Sequence, residues 1–124
     1  VNYVLKGTNI WTEHYSALQA EVVDPADPST QLNQQLISAI KDPEVTRVFL
    51  AGEALSHCVA STIRDIAGQL GEGHLGKLTL LTDCCSPVPG FEHMGEEFLM
   101  EMSNRGMLLA MSTDCLEVFA PTVG

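Results

Sequence analysis

The sequence predicts an α/β domain built on a parallel sheet with helices on both faces. Three observations carry this prediction. The strand candidates are compact apolar runs without polar alternation, as expected where both faces of a strand are buried. Amphipathic repeats of helical period stand between them. The connections are long enough for right-handed crossovers.

Taken in chain order, Tyr3, Val4 and Leu5 form a short apolar run ending at Lys6 and Gly7, which predicts a strand followed by a turn. Residues 8 to 28 are of mixed polarity and close on the breaker-rich stretch from Asp24 to Pro28, which predicts loop. Ser29 is the predicted N-cap of a helix carrying Leu32, Leu36, Ile37 and Ile40, closed by Asp42 and Pro43. Residues 47–51, from Arg47 to Ala51, read as a strand ending at Gly52. Val59, Thr62, Ile63, Ile66, Ala67 and Leu70 then repeat as one face of a helix that stops near Gly71. Residues 78–82 predict the next strand, and Pro87, Pro89 and Gly90 a second loop. Phe91, Met94, Phe98 and Met102 predict a helix face ending at Gly106, and residues 108–111 a last strand. The final ten residues fit no single assignment. The strands number about four, fewer than the five or six usual for such sheets.

The length, 124 residues, suits one domain, taken here as a single α/β portion over residues 1–124. The chain begins at Val1, without Met, and runs almost at once into apolar residues, as a piece that has lost its beginning would. No stretch approaches the roughly 18 apolar residues of a membrane span, and no basic-then-apolar leader stands at the start. The formal charge of -10, from 16 acidic and 6 basic residues, argues against nucleic acid and anionic membrane as partners. Cys84 and Cys85 are adjacent, and the 4 cysteines accompany a large aliphatic fraction. Reduced thiols in a cytoplasmic protein fit this better than a disulfide scaffold. The histidines His14, His57, His74 and His93 show no zinc-binding spacing, so no metal site and no cofactor is expected within this chain.

In open parallel sheets the functional groups gather at the carboxyl ends of the strands. Three places qualify: Lys6, the segment from Gly52 to Cys58, and the segment from Asp83 to Ser86. No glycine-rich phosphate-binding pattern is present. Cys58 is predicted in the first turn of a helix with Ser56 as its cap, where the dipole and free N–H groups favour a thiolate and could hold an oxyanion. The alternative is a small residue packing helix on sheet. Lys6 could steady negative charge at a thiol, or extend its amine to solvent. Asp83 reads as a loop-capping residue, Cys84 and Cys85 as core and rim, and His57 as turned away from the Cys58 side.

The run from Gly52 through Glu53, Ala54, Leu55, Ser56, His57 and Cys58 to Val59, followed by Thr62 and Asp65, resembles the nucleophile segment of the isochorismatase-like cysteine hydrolases, of which nicotinamidases are members. Lys6, Gly7, Thr8 and Asn9 with Tyr15 and Ser16 resemble the segment carrying that superfamily's lysine. Asp83 and Cys84, with Arg105 and Gly106, fit the part that follows the nucleophile. The resemblance implies a three-layer Rossmann-like sheet, here lacking the N-terminal central strand, and an Asp–Lys–Cys triad in which Cys58 is the nucleophile and Lys6 the lysine. It also implies a cis peptide between Glu53 and Ala54, and an oxyanion hole formed by the N–H groups of Ala54 and Cys58. The implied reaction is hydrolysis of a small amide through a thioester.

The superfamily's aspartate lies upstream of the lysine and has no counterpart before Lys6. The Asp and His residues with which nicotinamidases bind a divalent metal are upstream as well, so a metal belongs to a full-length parent if anywhere. The aspartate is expected from a missing N-terminal segment or from another chain, and the resemblance implies a homo-oligomer. Two further readings stand beside this one: an inactive, truncated domain acting in interaction or oligomerisation, and a thiol sensor.

Overall fold

The computed structural model describes residues 1–115; residues 116–124, nearly all of the ambiguous C-terminal stretch, lie outside it. The elements run α1 (Gln34–Lys41), β1 (Val48–Glu53), α2 (Ala60–Leu70), β2 (Leu78–Ser86), α3 (Glu92–Asn104) and β3 (Leu108–Ala110). The strands form one parallel sheet in the order β1-β2-β3. This is the α/β class that the apolar runs predict.

Parallel register sets Val48 opposite Leu78, Leu50 opposite Leu80, and Thr79 opposite Leu108. Beyond Leu50 the register shifts, so that Gly52 meets Cys85 and Glu53 meets Ser86. The irregularity falls at the carboxyl ends of β1 and β2, where it frees the backbone to turn sharply.

Val48, Leu50, Leu78 and Leu80 point into the main core, against Ile37 and Ile40 of α1, Ile63 and Ile66 of α2, and Phe98 and Met102 of α3. Phe98 and Met102 are fully buried, and each such side chain contributes roughly 1.5–3 kcal/mol. α1 packs beside α2, and Arg64 of α2 reaches Glu101 and the Phe98 ring of α3. The three described helices are thus linked side by side. Successive right-handed crossovers running in one direction, β1 to β2 to β3, put their helices on the same face.

Three expectations are corrected. Residues 3–5 form no strand; Tyr3 and Leu5 are 88% and 84% exposed. A strand needs a neighbour to satisfy its backbone groups, and this segment instead runs past Asn33 and Leu36 at the start of α1. The sheet of the described residues thus has three strands. Asn33, not Ser29, caps α1, its side-chain oxygen accepting the Leu36 N–H at 3.0 Å. Ser29 belongs to a separate short turn, Pro28–Thr30, capped by Asp27. In α3 the apolar face is shorter than predicted, because Phe91 and Met94 are exposed. Gly95 is buried in their stead, and a Cβ there would stand 3.3 Å from Leu55 and 3.4 Å from Pro87. The missing side chain lets α3 close on the segment that carries Cys58.

Candidate active site

Next to the end of β1, Gly52 stands at φ +131, a conformation that disfavours side chains. The Glu53–Ala54 peptide that follows is cis. The chain then enters a π-helical turn, Leu55–Val59, in which the Ala54 carbonyl accepts the N–H groups of both His57 (3.0 Å) and Val59 (3.1 Å). Cys58 belongs to this wider turn and not to the first turn of α2, which begins only at Ala60. Ser56 does not cap the helix as the sequence suggests. It is buried, accepts the Val88 N–H at 3.0 Å, and bonds His57 Nδ1 at 2.8 Å. Its role is to tie the Cys58 turn to the loop after β2.

Beside the turn, at the outer edge of β1, a cavity of about 260 Å³ is lined by Lys6, Ala17, Gly52, Glu53, Cys58 and Thr62, among others. The two residues expected to do chemistry, 52 positions apart in sequence by the difference of their numbers, therefore border one space. Cys58 is half-buried and its thiol free. The Lys6 amine donates to the backbone oxygens of His14 (3.0 Å) and Tyr15. It is thus folded back onto its own loop while remaining at the cavity rim. The loop is fixed to α2 by the Ala17 N–H, which donates to Thr62 Oγ1 at 2.9 Å.

Glu53 is the acidic residue among those lining this cavity. Its carboxylate is taken by the N–H and hydroxyl of Ser86, at 3.0–3.3 Å. His57 turns towards the other side, its ring edge-on to Phe91 at 5.0 Å and tilted against Tyr15 at 6.5 Å. Asp83 accepts the N–H of Ser112 at 2.7 Å and the Ser112 hydroxyl, which hold its carboxyl below the usual range. It ties β2 to the segment after β3. Cys85 packs partly against the core, and burial, then the charge of Glu53, push its thiol up. Cys84 lies against Asp83, and Cys115 is buried. Among the described residues no three His, Cys, Asp or Glu side chains group as a metal site would require. No helix among them is long and apolar enough to cross a membrane.

Sequence reasoning missed His14 as a support of the site, and it placed Ser56 as a helix cap and Thr62 on a helix face without the partners they hold. Their partners lie 7 to 45 positions away (Gly7, Val88 and Ala17), beyond any local pattern.

No protein-family model matches the chain, and no curated protein matches it. Among solved structures, one described as Acinetobacter baumanii nicotinamidase pyrazinamidease is similar, with a TM-score of 0.59 and 25% identity over 85% of this chain. The match covers 44% of that protein, so this chain spans under half of its length. The chain has the α/β, isochorismatase-like fold of that neighbour.

Proposed function

We propose that this chain carries the nucleophile and the lysine of a cysteine hydrolase that acts on a small amide. The observation that carries the reading is the shared cavity: Cys58 and Lys6 border one space at the end of a parallel strand, beside the π-helical turn that carries Cys58. In the proposed reaction the Cys58 sulfur attacks the amide carbonyl. The N–H groups of Ala54 and Cys58 receive the oxyanion, and Lys6 steadies the negative charge. The C–N bond breaks as the nitrogen takes up the proton given up by the Cys58 thiol and leaves as ammonia; water then cleaves the thioester, which releases the carboxylic acid and returns a proton to the sulfur.

The acid–base group is the part this chain does not supply. Glu53 is held by Ser86, so the reading assigns proton transfer to an aspartate from a preceding segment or a second chain, beside the outer edge of β1. The similarity to a nicotinamidase pyrazinamidease supports a small aromatic amide as the first substrate to try. A divalent metal, if used, belongs to the same added part. We place the protein in the cytoplasm, where its cysteines stay reduced.

The test is ammonia release from nicotinamide, pyrazinamide and aliphatic amides, by the chain alone and by the chain with the sequence preceding it. Release by the longer form, lost at least about 10³-fold in Cys58→Ala, is the expected outcome. Equal release by Cys58→Ala, or none from any amide by the longer form, overturns the reading.

A further inference from the structure

The segment that carries Lys6 has no regular secondary structure to hold it. Its position depends on a small set of bonds: Ala17 anchors the loop to α2, and two of those nearest the lysine reach one residue, His14. The Lys6 amine donates to the His14 backbone oxygen at 3.0 Å and to that of Tyr15. The adjacent Gly7 N–H donates to His14 Nδ1 at 3.2 Å. Outside this loop, Thr8 and Asn9 reach Ser29 and Asp27, too far along the chain to aim the lysine.

We propose that neutral His14 is the positioning residue of Lys6, latching its loop so that the amine stays at the rim of the Cys58 cavity, and that protonation of His14 opens the latch. The proposal rests on the assignment of Lys6 to the hydrolase site.

The argument turns on hydrogen-bond polarity. Nδ1 accepts from a backbone N–H, so it carries no proton, and the neutral ring bears its hydrogen on Nε2. An imidazolium carries hydrogen on both nitrogens and would set two donors, Nδ1–H and the Gly7 N–H, against each other. Nε2 is buried without a protein partner. It lies beside a second cavity, of about 220 Å³, where the neighbouring polar residues Ser29, Gln31 and Asn33 are uncharged. Two charges act on the ring: Lys6 opposes protonation and Glu21 favours it. Burial is the larger effect and, with Lys6, holds the ring below its ordinary value of 6.5. A base whose folded value is lowered contributes stability that is complete above the unfolded value. That stability is lost as pH falls from there through the folded one. The latch is therefore closed at neutral pH and opens on acidification below about 6.5.

Nitrogen-resolved NMR of the full chain reads both ends of the latch without requiring catalysis. The His14 ring should show hydrogen on Nε2 at pH 7.5. The Lys6 ammonium should exchange slowly there and lose that protection at the same midpoint as the ring protonates. In His14→Asn, whose amide oxygen can take the place of Nδ1 and does not titrate, the ammonium should stay protected to pH 5. A Lys6 signal that passes unchanged through the His14 titration in the unaltered chain overturns the proposal, even if the variant does not fold. Alkylation of Cys58 in Lys6→Met tests the underlying reading separately. If coupling is seen but Cys58 reacts at an unchanged rate, the lysine's chemical role fails and the latch stands. If Cys58 slows about tenfold, the change one pKa unit makes in thiolate, and no coupling is seen, the latch alone fails.

Discussion

Ser56 has the most to lose at the scale of the single residue. It is 4% exposed, and its oxygen is the recorded partner of the Val88 N–H and of His57 Nδ1. Replacing it by Ala removes the acceptor and strands a backbone donor in a part-buried setting, at a cost of about 1–3 kcal/mol. For a domain of 124 residues each kcal/mol lowers Tm by roughly 4 °C. The same change unties the Cys58 turn from the loop after β2. Ser56→Ala should therefore lower Tm in a thermal melt and also alter the alkylation rate of Cys58. Ser56→Thr, which keeps the hydroxyl, should restore the bond but crowd the turn. A melt of Ser56→Ala identical to that of the unaltered chain would show that the bond does not hold the turn. Cys85 is the internal comparison for such labelling, since burial and the charge of Glu53 disfavour its thiolate.

At the scale of elements, the approach of α3 to the Cys58 turn depends on Gly95. Glycine inside a helix costs roughly 0.5–1 kcal/mol relative to alanine, so local propensity argues against it. A Cβ would meet Leu55 at 3.3 Å and Pro87 at 3.4 Å, contacts tighter than ordinary packing. Gly95→Val adds two further methyl groups in that direction, and overpacking of this kind costs about 1–3 kcal/mol. A fall in denaturant midpoint, together with faster proteolysis between Ala54 and Val59, is the expected result. An unchanged midpoint would mean that α3 can shift without penalty. This element also shows what was legible in sequence. Phe98 and Met102 were readable because the core repeats at helical period along α3. Gly95 was not, since a residue defined by the closeness of another element leaves no periodic trace. The strands β1, β2 and β3 were readable as apolar runs, whereas Tyr3, Val4 and Leu5 have the same composition and form none. Composition reports that a segment can pair, and pairing needs a neighbour. The meeting of Lys6 with Cys58 was legible through resemblance to known hydrolases; the turn at Leu55–Val59 and the bonds of His14 depend on geometry that local pattern does not encode.

At the scale of the whole molecule, the cavity of Lys6 and Cys58 opens along β1, which is an edge of the three-stranded sheet. Edge strands invite a further strand, and the proposed function requires a carboxylate on that side. Whichever polypeptide brings it binds the folded state and not the unfolded one, so it must raise stability by mass action. The two sources then differ in a measurable way. A segment on the same polypeptide adds a fixed increment: a gain of about 2 kcal/mol raises Tm by roughly 4–8 °C at any protein concentration. A second copy of the chain adds an increment that grows as RT ln of concentration, about 2.7 kcal/mol at a hundred times Kd. Melts of the chain alone and of a form carrying an N-terminal segment, over a hundredfold range of concentration, separate the cases. A concentration-independent rise in the longer form assigns the edge to its own polypeptide, and ammonia release should appear in that form. A rise with concentration in the chain alone assigns the edge to a partner copy, and favours oligomerisation as the chain's own property. The net charge of -10 opposes close approach of copies, so added salt should strengthen the second effect and leave the first nearly unchanged. If neither form gains stability, β1 is a finished edge, and the proposed carboxylate is not brought by a strand that joins the sheet.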